Sequence, residues 1–178
     1  MQRGFTLVEL LIGVVIIAIL MLMALPSYTQ FMGNSRIRNT ADSLANGMRL
    51  AQVEAVRRNR AVEFIVNPAV GWRIFDPDPT LGGAVADEPF SDTSGQIVVA
   101  PNPAGTTKLT YSGLGQYQSP TNPSDATPVM TSVRVTHATL AAPQDLRVTA
   151  DPAWGVGVRV CDKRLSTTDP AGCPAGLP

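Results

Sequence analysis

Residues 1–25 read MQRGFTLVELLIGVVIIAILMLMAL. Between positions 5 and 25 the polar residues are Thr6 and Glu9, and Gly13 and Ala18 are small; the rest is Leu, Ile, Val, Met, Phe and Ala24. As a helix, about 21 residues at ~1.5 Å each reach about 30 Å, the thickness of a bilayer core. Arg3 and the amino terminus precede the run, which keeps the short end cytoplasmic under the positive-inside rule. A secretory signal has a shorter apolar core followed by a small-residue cleavage site. Here the run ends in Leu25-Pro26-Ser27, which is no such site. A membrane anchor remains.

Glu9 does not suit a plain anchor. An ionisable side chain in an apolar span costs about 2.5–3.5 kcal/mol near the centre and usually has a functional partner. Glu9 lies one helical turn from Phe5. A cut in front of Phe5 would create an amine there, and Glu9 of one subunit could pair with the Phe5 amine of a neighbour inside an apolar bundle.

The stretch RGFTLVELLIGVVIIAIL, followed by ALPSY, resembles the class III signal and N-terminal helix of type IV pilins and type II secretion pseudopilins. The resemblance implies cleavage between Gly4 and Phe5 by a prepilin peptidase, N-methylation of Phe5, and an assembly role for Glu9. It implies as partners other minor and major pilins, an inner-membrane assembly platform and membrane lipid. It also implies a single-pass inner-membrane protein with a cytoplasmic N-terminus and a periplasmic head, passing later into a filament or its tip. The expected segments are a leader at 1–4, a membrane and filament-core helix at 5–25, an amphipathic continuation at 26–60 and a β-rich head at 61–178.

Working outward, Pro26 removes a helix hydrogen bond, and Gly33 and Asn34 are weak helix formers. The expectation is a kink there, or a flexible segment of the kind the resemblance implies. Beyond it, Ile37, Ala41, Leu44, Met48, Ala51 and Ala55 recur at three- and four-residue steps, an amphipathic stripe over a helix at 35–59. Arg36, Arg38, Arg49, Arg57, Arg58 and Arg60 lie mostly off that stripe.

Strands are expected at 61–66 and 72–75, flanking the turn Asn67-Pro68-Ala69-Val70-Gly71. Residues 76–95, dense in Pro, Gly and Asp, read as irregular. Further strands are expected at 96–100, 108–112, 132–137, 145–149 and 156–161, where β-branched residues concentrate, with a polar loop at 113–128. The fold class is α+β: a long N-terminal transmembrane and amphipathic helix packed on an antiparallel β-sheet head, the pilin arrangement.

LANGMRLAQVEAVRRNRAVEF, then GWRIF, then strands ending in VRVC, resembles the GspH/FimT minor pilins, FimU-like members included. Cys161 and Cys173, an even pair in a chain with an export signal, suggest a disulfide worth roughly 3 kcal/mol for a loop of about a dozen residues. The pair also resembles the C-terminal disulfide loop of many pilins. That favours a minor pilin of a type IV pilus, which initiates or caps assembly; a GspH-type pseudopilin of a type II secretion system is the alternative.

The net charge of zero hides an asymmetry. Residues 1–60 carry seven Arg against Glu9, Asp42 and Glu54, a balance of +4; residues 61–178 carry seven basic and eleven acidic residues, a balance of −4. The basic half favours anionic lipid or is a solvated helix face. No catalytic motif is present, which points away from an enzyme, and no cofactor is implied. His137 is the single histidine, and two cysteines do not make a metal site. Asp76-Pro77-Asp78-Pro79 reads as a calcium ligand pair or as a solvated turn. Some FimT-type pilins capture DNA through a C-terminal Gly-Arg-x-Arg. Here Arg159 matches the second arginine, while Gly157 stands in place of the first. Lys163 and Arg164 could add charge, but a net acidic head opposes phosphate binding.

Overall fold

The computed structural model describes residues 6–78, 80, 82–92, 94–118, 124–150 and 157–176, apart from the side chains of Ala24 and Pro26. Gly4 and Phe5, the expected cleavage pair, lie outside the described residues, as do Trp154, Gly155 and Val156.

One helix, α1 (Leu7–Arg58), runs through 52 residues. It opens on a capping box: the Thr6 hydroxyl accepts from the Glu9 backbone N–H, and the Glu9 carboxylate accepts from the Thr6 N–H. Two orphan donors of the first turn are thereby satisfied. It closes at Asn59, which takes the left-handed conformation (φ 52°, ψ 41°) that asparagine tolerates at a helix end. The expected flexible break is absent from the helix itself. The segments Leu7–Met23 and Ser27–Arg58 meet at a 42° bend, across the interval that holds Pro26. Gly33 and Asn34 continue the helix and dock it. Gly33 is buried where Leu140 approaches, and the Asn34 side-chain oxygen accepts from the Gln144 backbone N–H at 3.0 Å.

The head comprises two four-stranded antiparallel sheets rather than one. The first has the order β3-β2-β1-β5, from β1 (Val62–Asn67), β2 (Gly71–Asp76), β3 (Gly83–Pro89) and β5 (Lys108–Tyr111). The second has the order β4-β6-β7-β8, from β4 (Ile97–Asn102), β6 (Ser132–His137), β7 (Leu146–Thr149) and β8 (Arg159–Asp162). Strand β3 lies inside the stretch expected to be irregular. Its GAVADEP has neither β-branched enrichment nor a clean apolar alternation, because it is an edge strand whose side chains are mostly half-buried or exposed. Asp87 pairs across from Arg73, and the acidic edge discourages further strand addition.

All six stripe residues of α1 are fully buried. They pack against Val62, Phe64, Val66, Ile74 and Leu109 of the first sheet and Val133, Val135 and Val148 of the second. The helix is thus the common core element of both sheets. At Gly47 it comes close to the first sheet: a Cβ there would stand 2.8 Å from the Phe64 and Trp72 rings. Those rings stack against each other at 5.7 Å between centroids.

An apolar stalk as the candidate assembly site

The apolar segment from position 7 to 25 contributes no described residue to the buried core. All fifteen of its large apolar side chains, from Leu7 to Leu25, are exposed. At about 1.5–3 kcal/mol for each such side chain removed from water, tens of kcal/mol await an apolar partner. Among the described residues no single straight helix is long and apolar enough to cross a membrane. The two segments on either side of the 42° bend pass that test together, on length and composition. Burial begins at Gly33 and Ile37, so the molecule divides into a bare stalk and a packed head.

Glu9 stands at the stalk's end. Its Oε2 accepts from the Thr6 backbone N–H at 3.0 Å and from the Thr6 hydroxyl at 2.9 Å, and its own N–H donates to the Thr6 oxygen at 3.3 Å. The carboxylate is exposed and aimed at the first turn, where the helix dipole favours negative charge. The sequence carries the signal for this in Thr6-x-x-Glu9, a capping-box spacing that the reading of Glu9 as a partner for an amine passed over.

The other candidate residues do not converge. Cys161 and Cys173 form a disulfide, buried at the C-terminal side of β8. Arg159 donates to the Pro170 carbonyl at 3.4 Å. The Arg164 guanidinium donates to the Ala142 and Pro143 carbonyls at 3.2 and 2.9 Å and lies 3.8 Å from the Asp162 carboxylate. The Lys163 backbone N–H donates to the Asp145 carbonyl. Arg134 and Arg147 sit opposite each other in β6 and β7 and share the Asp145 carboxylate at 3.0 and 3.4 Å. Burial pushes the Arg147 guanidinium below its ordinary pKa.

Asp76 and Asp78 are both held by arginines. Asp76 is fully buried at the end of β2; its Oδ2 lies 3.2 Å from Arg58 and 3.0 Å from Arg60. Asp78 takes Arg60 at 3.0 Å. The hydrogen bond from Arg57 holds the Glu54 carboxyl below its ordinary range, and the bond to Glu54 raises Arg58. The network ties the last turn of α1 to the β2–β3 hairpin. Among the described residues no group of three or more His, Cys, Asp or Glu could hold a metal ion.

Comparison with known proteins decides the family. The profile described as Type II transport protein GspH matches residues 40–154, well over half of the chain. The chain belongs to the GspH family. In this GspH-family protein the prokaryotic N-terminal methylation motif also matches, at residues 1–25. The fold is similar to the solution structure of Escherichia coli GspH, with a TM-score of 0.50 and 18% identity over 74% of this chain and 91% of that one. A crystal structure of the type IV minor pilin FimU from Pseudomonas aeruginosa PAO1 is similar at a TM-score of 0.44, with 16% identity over 67% of this chain and 86% of that one. The GspH match ends before Arg159, Lys163 and Arg164. The residues weighed for nucleic-acid contact therefore lie outside the family-defining part.

Proposed function

We propose that this protein is a minor pilin of a type IV pilus, a structural subunit that helps to initiate or cap assembly. The observation that carries the reading is the stalk: fifteen exposed apolar side chains on a helix whose first turn holds a carboxylate. A single subunit cannot cover that surface. A bilayer covers it first, and the apolar helices of other subunits cover it in a filament. The methylation motif over residues 1–25 supports processing between Gly4 and Phe5 by a prepilin peptidase. The new Phe5 amine then becomes available to a neighbour's Glu9. The proposed segments are the leader at 1–4, the span at 5–25, the helix continuation at 26–60 and a periplasmic head at 61–178, with the N-terminus cytoplasmic before cleavage. The Cys161–Cys173 bridge suits an oxidising compartment.

A second reading is a pseudopilin of a type II secretion system. The description of the matched family and the likeness to E. coli GspH favour it. Both readings require the same processing. Intact mass of the membrane-extracted chain should show loss of residues 1–4 and one added methyl; an uncleaved Met1 terminus would refute both. Deleting the gene separates them: loss of surface filaments supports the pilus, and loss of secreted enzymes with filaments intact supports the secretion system.

A further inference from the structure

We propose that the neck of this protein, where α1 leaves the apolar run and meets the head, binds the phosphoglycerol headgroup of an anionic phospholipid. The inference rests on the reading of residues 5–25 as a membrane span.

A cleft of about 570 Å³ opens between α1 and the end of β6. Arg36, Gln96, His137 and Thr139 supply polar lining, and Met32 and Leu140 supply apolar lining. Tyr28 and Thr29 form its stalk-side lip. The stalk-side lip of the cleft stands at headgroup depth. Along a helix rising ~1.5 Å per residue, Tyr28 stands about 5 Å and Gly33 about 12 Å beyond Leu25. The polar layer outside a bilayer core is about 5–8 Å thick on each side. The Arg36 backbone stands about 16 Å beyond Leu25, and its long side chain leans toward the helix N-terminus and so back toward that layer. Tyr28 and Phe31, 61% and 69% exposed, sit where aromatic residues favour the membrane–water boundary.

The chemistry of the lining selects the headgroup. Arg36 brings a cation whose side chain is 44% exposed; its ion-pair partner Asp92, a carboxylate 7% exposed and 4.0 Å away that also feels His137, is not among the residues lining the cleft. The Thr139 backbone N–H donates to His137 Nδ1 at 3.2 Å, which in the neutral ring leaves the proton on Nε2 as a donor. Arginine and an imidazole N–H suit a phosphodiester. Hydroxyls and an amide suit the glycerol end. Among the described residues no carboxylate lines the cleft to receive the ammonium of a choline or ethanolamine headgroup. Gly33 keeps the cleft's inner wall closed, because it lets Leu140 settle against the helix.

The test uses the full chain in a zwitterionic, phosphate-free detergent. Native mass spectrometry follows addition of phosphatidylglycerol or phosphatidylcholine with matched acyl chains. The expected result is retention of phosphatidylglycerol over phosphatidylcholine by about fivefold or more, and loss of that preference in Arg36→Gln. Arg134→Gln, a cation of equal exposure outside the cleft, should keep it. Competition by millimolar glycerol 3-phosphate would locate recognition in the headgroup. Equal retention of the two lipids by the wild-type chain, or an unchanged preference in Arg36→Gln, would overturn the proposal. So would binding of inorganic phosphate with no lipid preference. Membrane fractionation of the same protein keeps the two readings apart. A chain absent from membranes defeats the span, whereas an embedded chain without headgroup preference defeats the cleft alone.

Discussion

The Trp72 indole N–H donates to the Ser43 hydroxyl at 2.9 Å, which fastens β2 to the middle of α1. One turn along, Gly47 admits the Trp72 and Phe64 rings against the helix backbone. Helix propensity argues for alanine at position 47 by up to about 1 kcal/mol. Packing argues the other way, since a methyl 2.8 Å from both rings forces them to move. Overpacking costs about 1–3 kcal/mol, so packing wins. Gly47→Ala should lower the denaturant midpoint, and an unchanged or raised midpoint would show that the rings yield freely.

Asp76 is buried, accepts a hydrogen bond from Arg58 and forms an ion pair with Arg60. Replacing it with Ala leaves Arg58 and Arg60 without that partner at the end of α1. Breaking a buried pair by removing one member costs about 3–5 kcal/mol. Chemical denaturation of Asp76→Ala should show a loss in that range, with Arg57→Ala, an exposed partner of Glu54, costing under about 1 kcal/mol.

Tyr111 is buried, its hydroxyl has no hydrogen-bond partner in the structure, and burial pushes its phenol pKa upward. Removing an unsatisfied buried hydroxyl removes a desolvation cost of about 1–3 kcal/mol. Tyr111→Phe should therefore be neutral or stabilising in thermal unfolding. A clear loss would mean that the hydroxyl has a partner after all.

Asp125 accepts from the Lys108 ammonium and from Thr127, which holds its carboxyl at about 2. A folded-state pKa below the unfolded value of about 3.9 means that the unfolded chain binds more protons between the two. This contribution to stability is complete above about pH 4 and is lost as pH falls toward 2. Lys108→Met should raise the Asp125 value toward 3.9 in a carboxyl NMR titration. No movement would assign the shift to Thr127 alone.

Glu9→Ala should leave the protein in the membrane fraction and strongly reduce its incorporation into filaments. Incorporation at the wild-type level would leave the carboxylate with its capping role only.

The helix and most strands were legible because their patterns are local. The stripe from Ile37 to Ala55 is buried position by position, and β6 falls where Ser, Val, Arg, Val, Thr and His alternate. What escaped depends on distant partners. Strand β3 is held by its ladder with β2 rather than by its own propensity. Asp76 looked solvated because its arginines lie 18 and 16 residues back in the chain, at Arg58 and Arg60. Gly33 and Gly47 read as weak points of a helix, and only the side chains of Leu140, Phe64 and Trp72 reveal them as seats. The stalk was legible for the opposite reason, since it has no partners within the chain.

Because α1 continues from the stalk into the head, a pull on the stalk is carried across the 42° bend into the packed half of the helix. The helix lies against β1, β2, β5, β6, β7 and β8, so axial force is shared among six strands at once. Contacts loaded together in shear resist far better than contacts peeled one after another. A subunit drawn by its foot is gripped along the packed half of its spine.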